Sequence, residues 1–421
     1  MEKHIKAKNG LDIYSYRLEN THSFYISLYV KMGSMYEDER NCGISHFLEH
    51  AVIRNINRIL DGELYPLLDR YGLEFNASTY AEMVQFYISG APSSFAVAAQ
   101  IIAEVLAPID LSREDFEAER GRIRAEIREG QERTSLGQFT LEEVFGSCSL
   151  SRSITGTGVS VSRTSRRALE EHRRRSFTVG NTFLYVTGRF SDGDICLLSE
   201  RVEKYPLYSG EIRDNTAPVS KYFGNRQLAV RLKNADYCKV RFTFDLDMSR
   251  ISLPESDLVH AILVGGYSSE LFVEMSERRG LFYDIDSLSD RYKNIGMLAF
   301  SFELREAQLY EATELVVGLL KRLKTQILPP ERCMHATYVD NAPMLLDSPR
   351  ELNFTMAYDN HIMDMGYPDL RARASAYGAV TPGRLRELFC MIFTTNNLTF
   401  TMKGKRKSVD TKRLEDILAR L

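Results

Sequence analysis

The sequence predicts an α+β protein built from two homologous domains. Three observations carry that expectation. Strand and helix patterns are mixed without the strict alternation of a doubly wound sheet. The order of patterns in the first half recurs in the second. The chain's 421 residues are also more than one hydrophobic core usually supports.

Along the chain, Phe24, Ile26, Leu28 and Val30 alternate with Tyr25, Ser27, Tyr29 and Lys31, the period of a strand with one buried face, and Gly33-Ser34 ends it. A helical pattern follows from about residue 44 to residue 60. Leu73, Phe75, Ala77 and Thr79 then alternate with polar residues ahead of a second apolar run, Val84 to Ile88, which reads as a hairpin with a long turn. Charged residues at helical spacing fill about 113–133, and another strand is expected from Thr182 to Phe190. Residues 205–224 are rich in turn formers and serve as the linker, so the expected domains are 1–210 and 211–421. The second half reopens with Val240, Phe242, Phe244 and Leu246 alternating with Arg241, Thr243, Asp245 and Asp247, ahead of a helix beginning near Pro254. Within it, RGLFYDIDS from Arg279 lies against YGLEFNAST from Tyr71, the trace of a diverged duplication.

Composition excludes several classes. With Lys+Arg 54 against Asp+Glu 57, a net charge of -3 gives no global attraction to nucleic acid or to an anionic membrane. The six cysteines are scattered, with no CxxC pair, and read as thiols of a reducing compartment. Charge recurs every few residues at the N-terminus, and no run approaches the roughly 18 apolar residues of a membrane span. A cytoplasmic protein is expected.

The sharpest chemical feature is His46-Phe47-Leu48-Glu49-His50, an HxxEH string inside the first helical pattern. On a helix, residues 46, 49, 50 and 53 share one stripe, while Ile44, Phe47, Leu48 and Ala51 take the opposite side. Two neutral imidazoles one turn apart can chelate a single zinc ion, and the glutamate between them stands beside the water to be activated, so Glu49 is the candidate general base. Composition alone would place such a string in about one comparable chain in a hundred. A third ligand is offered by FEAERGRIRAEIREG, where Glu119 and Glu126 lie two helical turns apart on the stripe of Phe116, Ile123 and Ile127. Carboxylates on an apolar stripe are costly unless paired or metal-bound. Glu126 is therefore the expected third ligand, with the fourth position open, and Glu119 the residue that orients a ligand.

GSMYEDERNCGISHFLEH, GLEFNAST, ERGRIRAEI and RRGLFYDI together resemble the insulinase/pitrilysin-type inverzincin metallopeptidases, especially the mitochondrial-processing-peptidase branch and its bacterial relatives, over nearly the whole chain. The resemblance implies two related α+β domains, each a mainly antiparallel sheet backed by helices and together forming a half-clamshell, with zinc on His46, His50 and Glu126, water activation by Glu49, support from Glu119, and substrate binding along Phe75, Asn76, Ala77 and Ser78 and at Tyr283. Laying GGYSSELFVEM over CGISHFLEHAV puts Ser269 and Val273 at the ligand positions, so the second domain is expected to be metal-free.

One departure matters. Active relatives usually carry an arginine seven residues before the tyrosine of the GLxY segment, and here that position is Ser276, with Arg278 and Arg279 nearby in sequence. The resemblance thus implies a zinc-dependent endopeptidase acting on unfolded peptides in a closed chamber, as a heterodimer whose homologous partner supplies the arginine-tyrosine pair. A self-sufficient homodimer and a non-catalytic binding or assembly subunit are the alternatives. Bacterial relatives include peptidases that trim ribosomally made peptides such as bacteriocins, a role with which the chain length and Ser276 are compatible.

Overall fold

The computed structural model describes residues 1–132, 136–219, 228 and 230–421. Arg133, at the end of the expected helix, and residues 220–224 of the expected linker lie outside the described residues. The chain divides into two units, the first made of 1–133, 152–215 and 343–370 and the second of 134–151, 216–342 and 371–421. The linker boundary thus falls between Asn215 and Thr216, and two segments join the unit opposite to the one their place in the sequence suggests.

In the first unit, strands β1 (Lys3–Lys6), β2 (Asp12–Arg17), β3 (Phe24–Val30), β4 (Glu74–Thr79), β5 (Val84–Gly90) and β6 (Thr182–Gly188) form one sheet in the order β1-β2-β6-β3-β5-β4. The β2–β6 pair is parallel and the other neighbours are antiparallel. In the second unit, β7 (Val230–Asn234), β8 (Cys238–Asp247), β9 (Asp286–Arg291), β10 (Ile295–Leu304) and β11 (Leu398–Gly404) run in the order β7-β11-β8-β10-β9, with β7–β11 parallel. Apart from β1, the two sheets have the same order and the same parallel pair, so the duplication seen in sequence is a duplication of topology.

Sequence and structure part at one corner of the repeat. Gly72-Leu73 leads directly into β4, whereas Gly280-Leu281 leads into a loop and β9 starts only at Asp286. Leu281 and Phe282 turn into the second core instead: Phe282 stacks on Phe302 at 4.8 Å, and its carbonyl accepts a bond from Ser276 Oγ at 2.9 Å.

The strands expected to bury one face bury both. Phe24, Ile26, Leu28 and Val30 pack with helices α1 (Ile44–Ile59) and α3 (Phe95–Ala103); α2 (Leu64–Tyr71) lies between these two in the chain, and α4 (Arg113–Glu132) follows α3. The tyrosine face of the same sheet is covered by a helix at Pro349–Ala357. From that helix the fully buried Asn353 accepts a bond from Tyr29 Oη at 2.9 Å and donates to the Tyr185 carbonyl at 2.8 Å. In the second unit the helix at Leu136–Phe145 lies on β8 and β11, where Thr140 and Thr401 hydroxyls meet at 2.6 Å. Each half of the sequence therefore supplies a cover for the other unit's sheet, which is why the simple division at 210 departs from the observed units. Among the described residues no helix is long and apolar enough to cross a membrane.

Candidate metal centre

The chain enters α1 through Gly43, whose φ of 85° suits a residue without Cβ. A Cβ there would stand 2.6 Å from the Cα of Gly156, so two glycines press the lead-in segments together. A glycine cap has no side chain to satisfy the first amides of the helix. Glu37 does so from a distance: its buried carboxylate accepts the Gly43 N–H at 2.7 Å and the Ser45 N–H at 2.8 Å. Burial pushes the Glu37 carboxyl up from its usual range, against the pull of those bonds. Ser45 Oγ also meets His172 Nε2 at 3.0 Å, and burial, with Arg213 and Arg175 nearby, holds that imidazole down to about 3.

Thus fixed, α1 presents Phe47, Leu48 and Ala51 to the core and His46, Glu49 and His50 to the opposite stripe. Phe47 stacks on Phe116 at 5.0 Å and sets α1 against α4, whose Ile123 and Ile127 are buried in the same core. This packing brings Glu126 to both imidazoles, with its two carboxylate oxygens 3.6 Å from His46 Nε2 and 3.6 Å from His50 Nε2. The three donor atoms lie within 4.8 Å of one another. Each 3.6 Å separation is shorter than twice a zinc–ligand bond of about 2.1 Å, so one ion can reach both partners. Burial and the neighbouring His50 push His46 down to about 4, which leaves a neutral imidazole with a lone pair to offer. The donor set therefore fits zinc.

Glu119, almost fully buried, accepts from His50 Nδ1 at 3.3 Å and so turns the other ring nitrogen toward Glu126. Burial raises its carboxyl, but the bond from His50 and the charges of Arg122 and Arg54 outweigh that and hold it below the usual range. Glu49 is held up by burial, opposed by a bond from Thr79 Oγ1 at 2.5 Å.

Thr79 ends β4, the edge strand of the first sheet. Phe75 and Ala77 share its helix-facing side, opposite Ile88 and Phe86, while Asn76 and Ser78 lie on the tyrosine side, opposite Tyr87 and Gln85. Through Thr79, Glu49 is tied to the edge strand, beside the candidate donor group. The structure brings together five of the residues expected from sequence: His46, Glu49, His50, Glu119 and Glu126. Tyr283 lies in the second unit and is 97% exposed. The nearby arginines are engaged elsewhere, Arg278 with Glu274 at 3.0 Å and Arg279 with Glu274 at 3.5 Å and Glu311 at 3.8 Å.

Sequence reasoning missed Glu37, Thr79 and His172. Thr79 was traceable as the last inward position of the β4 alternation, and Glu37 as an acid shortly before a helix that begins on glycine. For His172 there was no sequence signal.

Residues 13–158 match the family model for insulinase (peptidase family M16), and residues 165–333 match that for the peptidase M16 inactive domain. The chain is 26% identical to an uncharacterized zinc protease of Rickettsia felis over 324 residues, 76% of either chain. In fold it is similar to a protease from Helicobacter pylori, with a TM-score of 0.81 and 18% identity over 96% of this chain and 99% of that one. It is also similar to the periplasmic protease PqqL of Escherichia coli, with a TM-score of 0.79 and 16% identity over 99% of this chain and 50% of that one. With two matched domains, two sheets of one topology and the HxxEH helix, this chain belongs to the insulinase-type, M16 family of zinc metallopeptidases.

Proposed function

We propose that this chain is the catalytic, zinc-bearing subunit of an endopeptidase that hydrolyses unfolded peptides. The observation that carries the reading is the placement of Glu49 beside the His46, His50 and Glu126 donors and next to the edge strand β4. When bound, zinc supplies Lewis-acid chemistry, polarising the scissile carbonyl and lowering the pKa of water. The edge of β4 takes an extended peptide as an added strand, which positions a backbone carbonyl beside Glu49. Glu49 accepts the proton of the attacking water as the C–O bond forms and delivers it to the amine nitrogen as the C–N bond breaks. Thr79 holds Glu49 in place for that exchange and favours its ionised form. Tyr283 is the candidate donor to the developing oxyanion.

The reading includes a homologous partner that supplies an arginine-tyrosine pair and closes the chamber. Two observations support it: Ser276 is tied to the Phe282 carbonyl, and Arg278 and Arg279 are both paired to Glu274. That PqqL is matched over only half its length supports a second half in this case as well. The test is peptide cleavage by the chain alone, by a zinc-free homologue alone and by the mixture, each with and without chelator. Cleavage only in the mixture, abolished by chelator and by Glu49→Gln while zinc stays bound, is the expected result. Full activity of the chain alone would replace the heterodimer with a homodimer, and the absence of chelator-sensitive cleavage in every arm would leave the binding-subunit reading.

A further inference from the structure

A cavity of about 420 Å³ opens directly beside the candidate metal centre. Glu49 and His50 are among its lining residues, together with the apolar Ile53 and Phe75 and the guanidinium-bearing Arg54 and Arg122. Because Phe75 and Asn76 of the edge strand line it, a peptide paired to β4 would run beside the cavity, with alternate side chains directed to the same face.

The two guanidiniums are not paired equally well. Glu119 gives Oε2 to His50 and leaves Oε1 to be shared by Arg54 at 3.3 Å and Arg122 at 3.5 Å. Arg54 has a second carboxylate in Asp115 at 3.0 Å. Among the described residues Arg122 has this one distant claim on an oxygen already in use, and its side chain is 65% exposed at the cavity. A guanidinium presents a planar fork suited to two parallel bonds with a carboxylate, and a shared contact at 3.5 Å does not use it.

We propose that Arg122 reads a carboxylate of the substrate, so that this peptidase selects peptides carrying an acidic group at the position whose side chain enters the cavity beside the scissile bond. The inference rests on the peptidase reading above. The shared chemistry is a carboxylate above an apolar wall, and two sources can provide it: a Glu or Asp side chain within the peptide, or the terminal carboxylate of a peptide ending there. Lysine at the same position would face both Arg54 and Arg122 and is disfavoured.

The experiment uses the full chain with its homologous partner and quenched-fluorescence peptides in which Glu, Gln or Lys is scanned through the positions flanking the cleaved bond, with C-terminal acid and amide versions of a truncated set. At one position the kcat/KM ratio of Glu to Gln is expected to be about threefold to tenfold, the range for a partly exposed charge-assisted contact. Arg122→Ala should bring that ratio to about one, and Arg122→Glu should reverse the preference toward Lys, consistent with charge reading. A preference confined to the acid over the amide of truncated peptides would assign the terminal carboxylate as the source. A Glu preference that survives Arg122→Ala, or no Glu preference at any position, overturns the proposal. If no peptide is cleaved in a chelator-sensitive way, the peptidase reading has failed separately. Binding of the same labelled peptides to the Glu49→Gln chain, read by fluorescence anisotropy, then decides the carboxylate preference by the same ratios.

Discussion

Replacing Glu37 with glutamine tests how the helix that carries the candidate zinc ligands is held in register. The carboxylate accepts two N–H bonds at the start of α1, from Gly43 and Ser45, and His46 is the next residue. Bonds to an ionised acceptor contribute about 1.5–3 kcal/mol each, so losing both would cost about 3–6 kcal/mol. Glutamine retains one acceptor oxygen but turns an N–H toward the other amide. Against this, a neutral side chain is relieved of the desolvation that raises the Glu37 carboxyl. The net expectation for Glu37→Gln is a loss of about 2 kcal/mol in the stability of the first turn of α1, or roughly thirtyfold faster amide exchange there. Because His46 sits in that turn, zinc affinity should fall about tenfold, at the low end for residues that position a ligand. Hydrogen-exchange mass spectrometry over residues 44–50 and competition with a zinc chelator measure the two effects. Exchange within about threefold of wild type together with unchanged zinc affinity would refute the capping argument.

Three further outcomes are expected. His46→Ala combined with His50→Ala should reduce bound zinc from about one per chain to near none by elemental analysis, because removing two of three protein ligands leaves one carboxylate. Thr79→Val removes the donor that opposes the burial of Glu49; the acidic limb of the kcat/KM profile should move to higher pH, with turnover falling about tenfold, and a limb that stays in place would detach Thr79 from Glu49. His172 remains neutral in the folded state down to about 3, whereas the unfolded imidazole binds a proton near 6.5. The unfolded state then carries more protons between those values, so stability is lost as pH falls, by about 2 kcal/mol between pH 6.5 and pH 5. Denaturation of His172→Gln should lack that share of the acid loss.

What was legible in the sequence is what local geometry determines. The HxxEH string and the pair Glu119 and Glu126 lie on single helices, where one turn or two bring side chains to one face, and these residues do meet in the structure. The strand alternations were legible for the same reason. Contacts between distant segments were not. Tyr25 and Tyr29 read as the wet side of a half-buried strand, yet a polar partner from far along the chain, Asn353, makes that side an interior. Arg173 stands in a sequence run dense in arginine, RRALEEHRRR, yet it is buried, paired with Glu170 and donating to the Leu106 carbonyl at 3.1 Å. In both cases the polar residue is satisfied by an acceptor whose proximity no local pattern encodes.

The covering helix at Pro349–Ala357 also bears on how the protein is made. Every strand of the first sheet has left the ribosome once Gly188 is out, but the residues that cover its tyrosine face are translated much later. At synthesis rates of about 5–20 residues per second the interval is on the order of ten seconds, long compared with the folding of a small domain. During it, the nascent first unit shows a sheet face rich in tyrosine hydroxyls rather than bare aliphatic groups, a face that water can solvate until Asn353 arrives. The polarity that obscured burial in the sequence is, on the ribosome, what allows the first sheet to wait.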